Sequence, residues 1–233
     1  MKKLFLILIV AAAFAAPVFS EPVDVAHFLI TPSYNGGSGF IRAPGAYITP
    51  ASIIALGLHS FVFKANYGLF DIVELGINLD FTATSDLIAI LKGTDINVKG
   101  RILKEEDFFV SLSAGIDKLP ANLFESMNGQ DFAGYVVVSK KIDDMAFSLG
   151  VKKQFAGYPQ DNIFFADASK VIGDTVLAIA EYNMGEVNAG IKISLNSNIN
   201  VELFFTGLES AGNSGSLGTF LRENFIFGIT YIQ

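Results

Sequence analysis

Apolar and polar residues alternate along much of the chain with a period of two. The segment 73–81 places Val, Leu, Ile, Leu and Phe on one face and Glu, Gly, Asn and Asp on the other. Successive side chains of a β-strand point to opposite faces, so this pattern predicts a strand with one apolar and one polar side. The same pattern recurs at 96–102, 108–116, 187–195, 199–206 and 225–231. The chain is therefore predicted to be all-β.

Less regular segments bring the predicted total to about twelve strands, within a range of ten to fourteen. They lie near 52–60, 62–69, 132–140, 145–153, 162–169 and 174–182. Between Thr175 and Glu181 both faces are largely apolar, so the pattern does not decide which face points where. One short helix is predicted at Ser85–Leu91.

The connections between these strands are sorted by length. Every second connection is short, whereas four of the six others are long, at 82–94, 117–131, 154–161 and 208–221. Transmembrane β-barrels have short periplasmic turns and longer external loops. We therefore predict an antiparallel transmembrane β-barrel over residues 52–233. A soluble periplasmic β-sandwich or lipocalin-like barrel, which shares the alternation, is the alternative.

The N-terminus has the plan of a cleavable secretory signal. Two lysines precede a 13-residue apolar stretch, Leu4–Ala16, and a small residue, Ser20, stands at the expected cleavage point before Glu21. This stretch is too short to span a bilayer, and the chain contains no run of 18 apolar residues. We predict that residues 1–20 are a signal peptide and that the mature chain is exported to the outer membrane.

Residues 21–51 do not follow the strand pattern. They carry four prolines and a glycine-rich run from Asn35 to Gly39, and they offer at most one short strand, Phe40–Ala43. This Gly/Pro-rich segment is either a periplasmic lead-in to the barrel or a plug inside it. The sequence does not choose between these two interpretations.

Composition narrows the possible chemistry. The chain has 233 residues, of which 17% are charged, with no cysteine, no tryptophan and a net charge of −7. The lack of cysteine excludes disulfides, thiol nucleophiles and a lipidated cysteine, and the negative charge argues against nucleic acid as a partner. No nucleotide-binding or metal-binding motif is present, so neither a cofactor nor a metal is expected. The expected partner is outer-membrane lipid, with interfacial aromatic residues drawn from the phenylalanines and from Tyr67, Tyr135, Tyr182 and Tyr231.

The polar faces of the predicted strands would line the barrel lumen. The candidate lumen-facing residues are Glu74, Asn78, Asp80, Lys99, Arg101, Lys152, Asp167, Glu181, Lys192 and Glu202. In a polar pore, such mixed charges tune the passage of solutes. In a narrow filled barrel, they instead form ion pairs and hydrogen bonds with one another. Both interpretations stay open.

A catalytic site has weak support in the sequence. His59 and Ser60 are adjacent at a predicted strand end, and a hydrolase would need a third group such as Asp80 or Glu74 beside them. A histidine next to a serine is common and indicates little by itself. We predict a protein without enzymatic activity and without catalytic residues.

Three stretches together resemble a known family. They are Gly39–Tyr47, Lys64–Gly76, and Ala180–Asn183 followed by Asn188–Ile191. In this order they are similar to the YjbH-like outer-membrane β-barrel proteins, which are associated with exopolysaccharide or capsule secretion.

The final strand, with aromatic and aliphatic residues from Phe225 to Tyr231, resembles the terminal strand that the barrel assembly machinery recognises. The chain departs from that pattern because it ends on Ile-Gln rather than on an aromatic residue.

One repetition leaves the strand count open. Residues 73–77 and 187–191 look like the same hairpin, yet the count places the turns before them at opposite ends of the barrel. Either the two share a common hairpin pattern, or the count is wrong by one strand.

The resemblance and the pattern together lead to a first hypothesis of function. It is a non-enzymatic outer-membrane barrel that serves export or assembly of an envelope polysaccharide. The alternative is a porin-like channel for small solutes. An outer-membrane hydrolase and a soluble periplasmic binding protein are less favoured.

Overall fold

The computed structural model describes residues 24–82, 87–121, 132–155, 162–213 and 216–233. The predicted signal peptide lies outside these residues. Within them, antiparallel strands form one closed barrel in which each strand pairs with its sequence neighbours and β1 pairs with β12. The twelve strands are β1 (Ile54–His59), β2 (Val62–Leu69), β3 (Val73–Asp80), β4 (Asp95–Leu103), β5 (Ser111–Pro120), β6 (Ala133–Ile142), β7 (Met145–Gln154), β8 (Asn162–Ile172), β9 (Val176–Asn183), β10 (Glu186–Ser194), β11 (Ile199–Phe205) and β12 (Phe225–Ile232).

The closed sheet confirms the predicted fold class and strand count. Pairs such as Leu58 with Ile229 join β1 to β12, so the sheet has no free edge at this seam. The alternation also holds, because Leu149 and Val151 of β7 point outward while Ser148 and Lys152 point inward. A β-sandwich is therefore wrong for this chain, since a single sheet closes on itself rather than packing against a second one.

The two ends of the barrel differ in their connections. At one end, the long-loop end, the connections include 81–94, 121–132, 155–161 and 206–224. At the other, the short-turn end, they run over 70–72, 104–110, 143–144, 173–175 and 195–198, and both barrel termini lie there. The two similar hairpins turn at opposite ends, at 70–72 and at 184–185. They therefore share a hairpin pattern, and the strand count is right.

The helices of the described residues are short and belong to the plug segment or to connections rather than to the sheet. They are α1 (Val25–Leu29), α2 (Leu87–Lys92), a 3₁₀ helix (Leu208–Asn213) and α3 (Leu217–Asn224). The α2 helix lies where the sequence predicts one. None of the helices in the described ranges is long and apolar enough to cross a membrane.

Residues 24–51 lie inside the barrel, and we call them the plug. Phe28, Phe40 and Ile41 have no exposed surface. Main-chain groups of the plug bond to inward side chains of β3, β6, β9 and β10, which lie around the whole circumference. The chain then leaves the lumen across Gly68, where a Cβ atom would lie 2.0 Å from the Pro50 carbonyl oxygen. Only glycine leaves room for this crossing.

The predicted short strand at Phe40–Ala43 is wrong. These residues form a tight hairpin between Gly39 and Pro44, which are joined by an isolated bridge. The N–H groups of Ile41, Arg42 and Ala43 donate to the Glu181 carboxylate rather than to a neighbouring strand. Because three successive N–H groups bond to one carboxylate, they are not available for the main-chain hydrogen bonds that would pair this segment with a strand.

The plug also explains why some residues of the inner wall are apolar or aromatic rather than polar. Tyr135, expected at the membrane interface, faces inward and is 5% exposed. Leu177 and Ile179 of β9 also face inward, while Ala178 and Ala180 point outward. The ambiguous segment 175–181 is apolar on both faces because one face meets the exterior and the other meets the plug.

Candidate functional site

The candidate site is the lumen wall together with the plug that fills it. Eight of the ten predicted lumen residues are buried on the inner wall with 6% exposure or less, namely Glu74, Asn78, Lys99, Lys152, Asp167, Glu181, Lys192 and Glu202. Asp80 differs, because it is exposed at the long-loop end, where it accepts a hydrogen bond from Thr82 N at 2.7 Å. Arg101 also differs, because it donates to the Asp71 carbonyl in a short turn. These two belong to the rims rather than to the buried wall.

Glu181 is the anchor for the plug hairpin. Its Oε2 accepts hydrogen bonds from Ile41 N at 2.9 Å, Arg42 N at 2.8 Å and Ala43 N at 2.9 Å. Asn188 Nδ2 donates to its Oε1 at 2.8 Å. Hydrogen bonds to a charged acceptor are about twice as strong as neutral ones, so this carboxylate fixes the hairpin through its main chain.

Glu74 holds two further points of the plug in the same way. Its Oε1 accepts from Ser38 N at 2.9 Å, and its Oε2 accepts from Thr49 N and Thr49 Oγ1, both at 2.8 Å. Lys99 Nζ lies 3.5 Å from Glu74 Oε1, so the carboxylate also has a buried cation beside it. Ser38 and Thr49 are thereby fixed to β3.

Three wall lysines bind plug carbonyls. Lys99 Nζ donates to Ser38 O at 2.9 Å and to Tyr47 O at 2.7 Å. Lys192 Nζ donates to Phe28 O at 3.1 Å and to Gly39 O at 3.0 Å. Lys64 Nζ donates to the carbonyls of Ser33 and Tyr34. The sequence shows the wall charges, but not that their partners are main-chain groups 30 or more residues away.

His59 belongs to this buried network. Its Nε2 lies 2.5 Å from Glu202 Oε2, and Glu202 Oε1 also accepts from Thr31 Oγ1 of the plug at 3.2 Å. The hydrolase hypothesis needs Asp80 or Glu74 beside His59. Instead, Asp80 bonds to Thr82 at the rim and Glu74 bonds to the plug. The structure therefore does not assemble the triad that the sequence suggested.

One sector of the lumen is apolar. Phe28 and Leu29 of α1 pack into a buried cluster with Leu177, Phe204 and Ile226 of the wall. This contact is absent from the predictions made from the sequence. Its available signal was the segment 175–181, whose apolar residues on both faces need a nonpolar neighbour inside the barrel.

The wall toward the long-loop end carries polar atoms without a partner among the described residues. Both carboxylate oxygens of Asp167 are in this state, as are Asp117 Oδ1, Asn78 Oδ1, Asn97 Nδ2 and Asn183 Oδ1. The other oxygen of Asp117 accepts from Lys152 Nζ at 2.8 Å. Buried polar groups nearly always have a partner in the protein or in water. This part of the wall therefore suits water or a polar solute.

A cluster at the short-turn end joins both ends of the plug to the rim, and we call it the clasp. Tyr47 Oη donates to Glu105 Oε2 at 2.8 Å, and Lys140 Nζ and Lys141 N each reach Glu105 Oε1 at 3.0 Å. Lys141 Nζ also lies 3.9 Å from Asp24 Oδ2. The clasp therefore connects the first and the last part of the plug.

The clasp shifts the acid–base behaviour of its members. Burial alone raises the pKa of Glu105, but hydrogen bonds from the Tyr47 hydroxyl, Lys140 and the Lys141 N–H outweigh it and hold this pKa below its ordinary value. Burial and the hydrogen bond to Glu105 raise the pKa of Tyr47. At neutral pH the clasp is therefore an ionised Glu105 with a neutral tyrosine.

Solved structures similar to this chain are β-barrels of low sequence identity. The KdgM porin has a TM-score of 0.48 and 11% identity, and the likeness covers 77% of this chain and 96% of that one. A mutant of the Rh. blastica porin has a TM-score of 0.37 and 13% identity, over 74% of this chain and 55% of that one. The Acinetobacter baumannii outer membrane protein Omp33 has a TM-score of 0.33 and 11% identity, over 77% and 95%. No protein-family model and no curated protein matches the chain.

Proposed function

We propose that this chain is an outer-membrane β-barrel that passes small solutes through a lumen controlled by its own plug. The observation that carries the proposal is the unpartnered polar wall around Asp167 and Asp117, which lies beside the plug inside a closed barrel. A local shift of the plug would join this polar surface into a path. Mixed charges along such a path tune which solutes pass.

The outer surface supports a membrane location. Large apolar side chains cover it along the strands, including Ile77, Val136, Leu149 and Phe164. In hydrocarbon all main-chain groups must be paired, and a closed barrel pairs them between strands. The short-turn end faces the periplasm in this proposal, since barrels of this class have short periplasmic turns and long external loops.

Aromatic residues support the position of the membrane boundary. Tyr67 and Tyr231 point outward near the short-turn end, and Phe70 and Phe109 in the short turns are each 82% exposed. Tyr182 points outward near the long-loop end. Such amphipathic or aromatic side chains concentrate where a bilayer meets water.

Export of a polysaccharide, which the family resemblance implies, makes a larger demand on the plug. Helix α1 fills an apolar sector of the lumen, while the hairpin at Glu181 reaches toward the long-loop end. An extended polymer would require both parts to leave, whereas a small solute requires only a local shift. We therefore favour the small-solute channel and propose no catalytic role for His59.

The location is tested by fractionation of cells that express the full chain. We expect the protein in the outer-membrane fraction, with different mobility in SDS gels before and after boiling. A protein that stays soluble after export, with no dependence of mobility on heating, contradicts the membrane location.

The channel is tested with a plug that can be locked. Ala46 N lies 2.9 Å from Ser139 Oγ, so cysteines at these two positions are within reach of a disulfide, and the chain has no cysteine of its own. In planar bilayers the reduced Ala46→Cys/Ser139→Cys protein should conduct, and the oxidised protein should conduct at least fivefold less. The Ala46→Cys single variant should not respond to oxidation. Absence of conductance from reduced, folded protein, or equal conductance in both states, contradicts the channel.

A further inference from the structure

The plug and the wall differ in how they carry charge. Between residues 25 and 49 the plug has two side chains able to carry a charge, His27 and Arg42. The facing wall buries five charged side chains that bond to the plug main chain, Lys64, Glu74, Lys99, Glu181 and Lys192, and a sixth, Glu202, that accepts from the Thr31 side chain. These wall charges therefore find their partners mainly in the plug main chain.

Each of the five binds two or three main-chain groups of the plug. Glu181 and Glu74 take N–H donors, at residues 41, 42 and 43 and at residues 38 and 49. Lys99, Lys192 and Lys64 take carbonyl oxygens, at residues 38, 45 and 47, at 28 and 39, and at 33 and 34. N–H and C=O groups are present in every peptide, so these contacts do not depend on the plug's particular side chains.

At a few plug positions the surrounding wall requires a particular type of residue. Gly36 has a φ of +114°, and a Cβ there would lie 2.3 Å from Asn78 Oδ1, so this position needs glycine. Phe28 and Phe40 fill the apolar sector. Tyr47, Thr31 and Thr49 add side-chain hydrogen bonds to Glu105, Glu202 and Glu74. Most of the other plug positions are small and uncharged.

We propose that the lumen wall is a binding site for a peptide main chain, with the plug as its resident ligand. A released wall binds an added peptide that carries few charges, contains glycine at the tight turn and supplies aromatic residues for the apolar sector. This inference goes beyond the proposed channel, because it assigns the lumen a ligand class and does not require conduction.

The first experiment uses the full chain with a protease site inserted between Ala51 and Ser52, at the exposed rim. The folded protein is cut, unfolded in urea and refolded in detergent with a tenfold excess of fluorescent peptide of sequence 24–51. We expect the peptide to join the heat-modifiable barrel, while uncut protein treated identically takes up at least tenfold less. Failure of the cut barrel to take up this peptide overturns the proposal.

The second experiment separates main-chain from side-chain recognition. Replacing the amide at Ile41, Arg42 or Ala43 by an ester removes one N–H donor to Glu181 without adding bulk. We expect each ester peptide to bind at least tenfold more weakly, and this penalty to fall below threefold in a Glu181→Ala barrel. A peptide with Arg42→Ala should bind within threefold of the native peptide. The proposal is overturned if the Arg42→Ala peptide loses more affinity than the ester peptides. It is also overturned if a neutral oligosaccharide displaces the bound fluorescent peptide and unlabelled peptide does not.

A third measurement needs no cleavage and no refolding with peptide. In the intact chain, Glu181→Ala should raise hydrogen exchange of the Ile41, Arg42 and Ala43 amides at least tenfold. Arg42→Ala, which removes the ion pair with Glu186 at 2.5 Å, should change it less than threefold. Equal effects of the two variants contradict main-chain recognition.

The channel and the peptide-binding wall can fail separately. A barrel that binds peptide but never conducts would refute the channel alone. A barrel that conducts but binds no peptide would refute this inference alone.

Discussion

The imidazole of His59 and the carboxylate of Glu202 form a fully buried pair, with 2.5 Å between Nε2 and Oε2 and no exposed side-chain surface on either residue. Glu202 also lies 3.6 Å from Lys192 Nζ, which holds two plug carbonyls. The pair therefore connects the β1–β12 seam to the plug.

Glu202→Gln should destabilise the barrel by about 3–5 kcal/mol, because removing one partner leaves a buried charge on Lys192 uncompensated. Urea unfolding in detergent measures the loss. Glu223→Gln, at an exposed pair with Arg222, is the matched control and should change stability by less than about 1 kcal/mol. Equal stability of both variants would show that the buried network does not hold the fold.

Gly228→Ala should destabilise the protein by about 1–3 kcal/mol through overpacking. A Cβ at this position would lie 2.3 Å from His59 Cδ2, and the backbone around it belongs to the seam. Adding His59→Ala should remove most of this particular penalty. Gly218→Ala in α3, where the atom nearest to a new Cβ is Ser216 Oγ at 3.9 Å, should be neutral in the same unfolding assay.

Acid should loosen the clasp. Because the folded pKa of Glu105 is lowered, its ionised form stabilises the docked plug above its ordinary pKa of 4.5, and this contribution is lost as pH falls through the folded value. A fluorophore at Ala26→Cys, a half-buried plug position outside the clasp, should therefore become more mobile below about pH 4.5. Glu105→Gln should give high mobility at neutral pH with a weaker pH response. Glu106→Gln on the same turn should behave as wild type, and an identical response in Glu105→Gln would contradict this role.

Asp167→Asn should preserve stability, within about 1 kcal/mol, because asparagine has nearly the same shape and removes an acid group that lies directly across the strand pair from the buried Glu181. It should change the permeability ratio of cations to anions in bilayer recordings, since it alters a buried polar side chain of the lumen wall. Asp144→Asn, in an exposed turn, should leave this ratio unchanged. An unchanged ratio in Asp167→Asn would place the conducting path elsewhere.

Leu149→Arg tests the lipid-facing surface. Leu149 is 64% exposed on the outer face of β7, and an arginine near the bilayer midplane costs about 2–4 kcal/mol. Folding in vesicles should lose this amount, while Asp143→Arg at a turn should lose less than about 1 kcal/mol. Equal tolerance at both positions would argue against a membrane around β7.

The sequence predicts the strands well because alternation is a local property. For Leu149 and Val151, the few residues on either side are enough to predict that these side chains point outward. The plug is not accessible in this way, since Ile41 meets its partner Glu181 across 140 residues and no periodic pattern marks the contact. Tyr135 is predicted at the membrane interface, whereas the structure places it inward. The inward position of Tyr135 depends on the plug and on Lys152, which lie beside its ring, and neither contact is visible in the local sequence.

The position of the plug fixes an order of events in folding. The plug precedes every strand in the chain, yet Thr31 bonds to Glu202, 171 residues later. Its anchors on β9, β10 and β11 do not exist until most of the chain has been made. The plug can meet Lys64, Glu74 and Lys99 on the early strands, but its contacts with Glu181, Lys192 and Glu202 complete only after the late strands have formed, so the final seating of the plug depends on closure of the whole sheet.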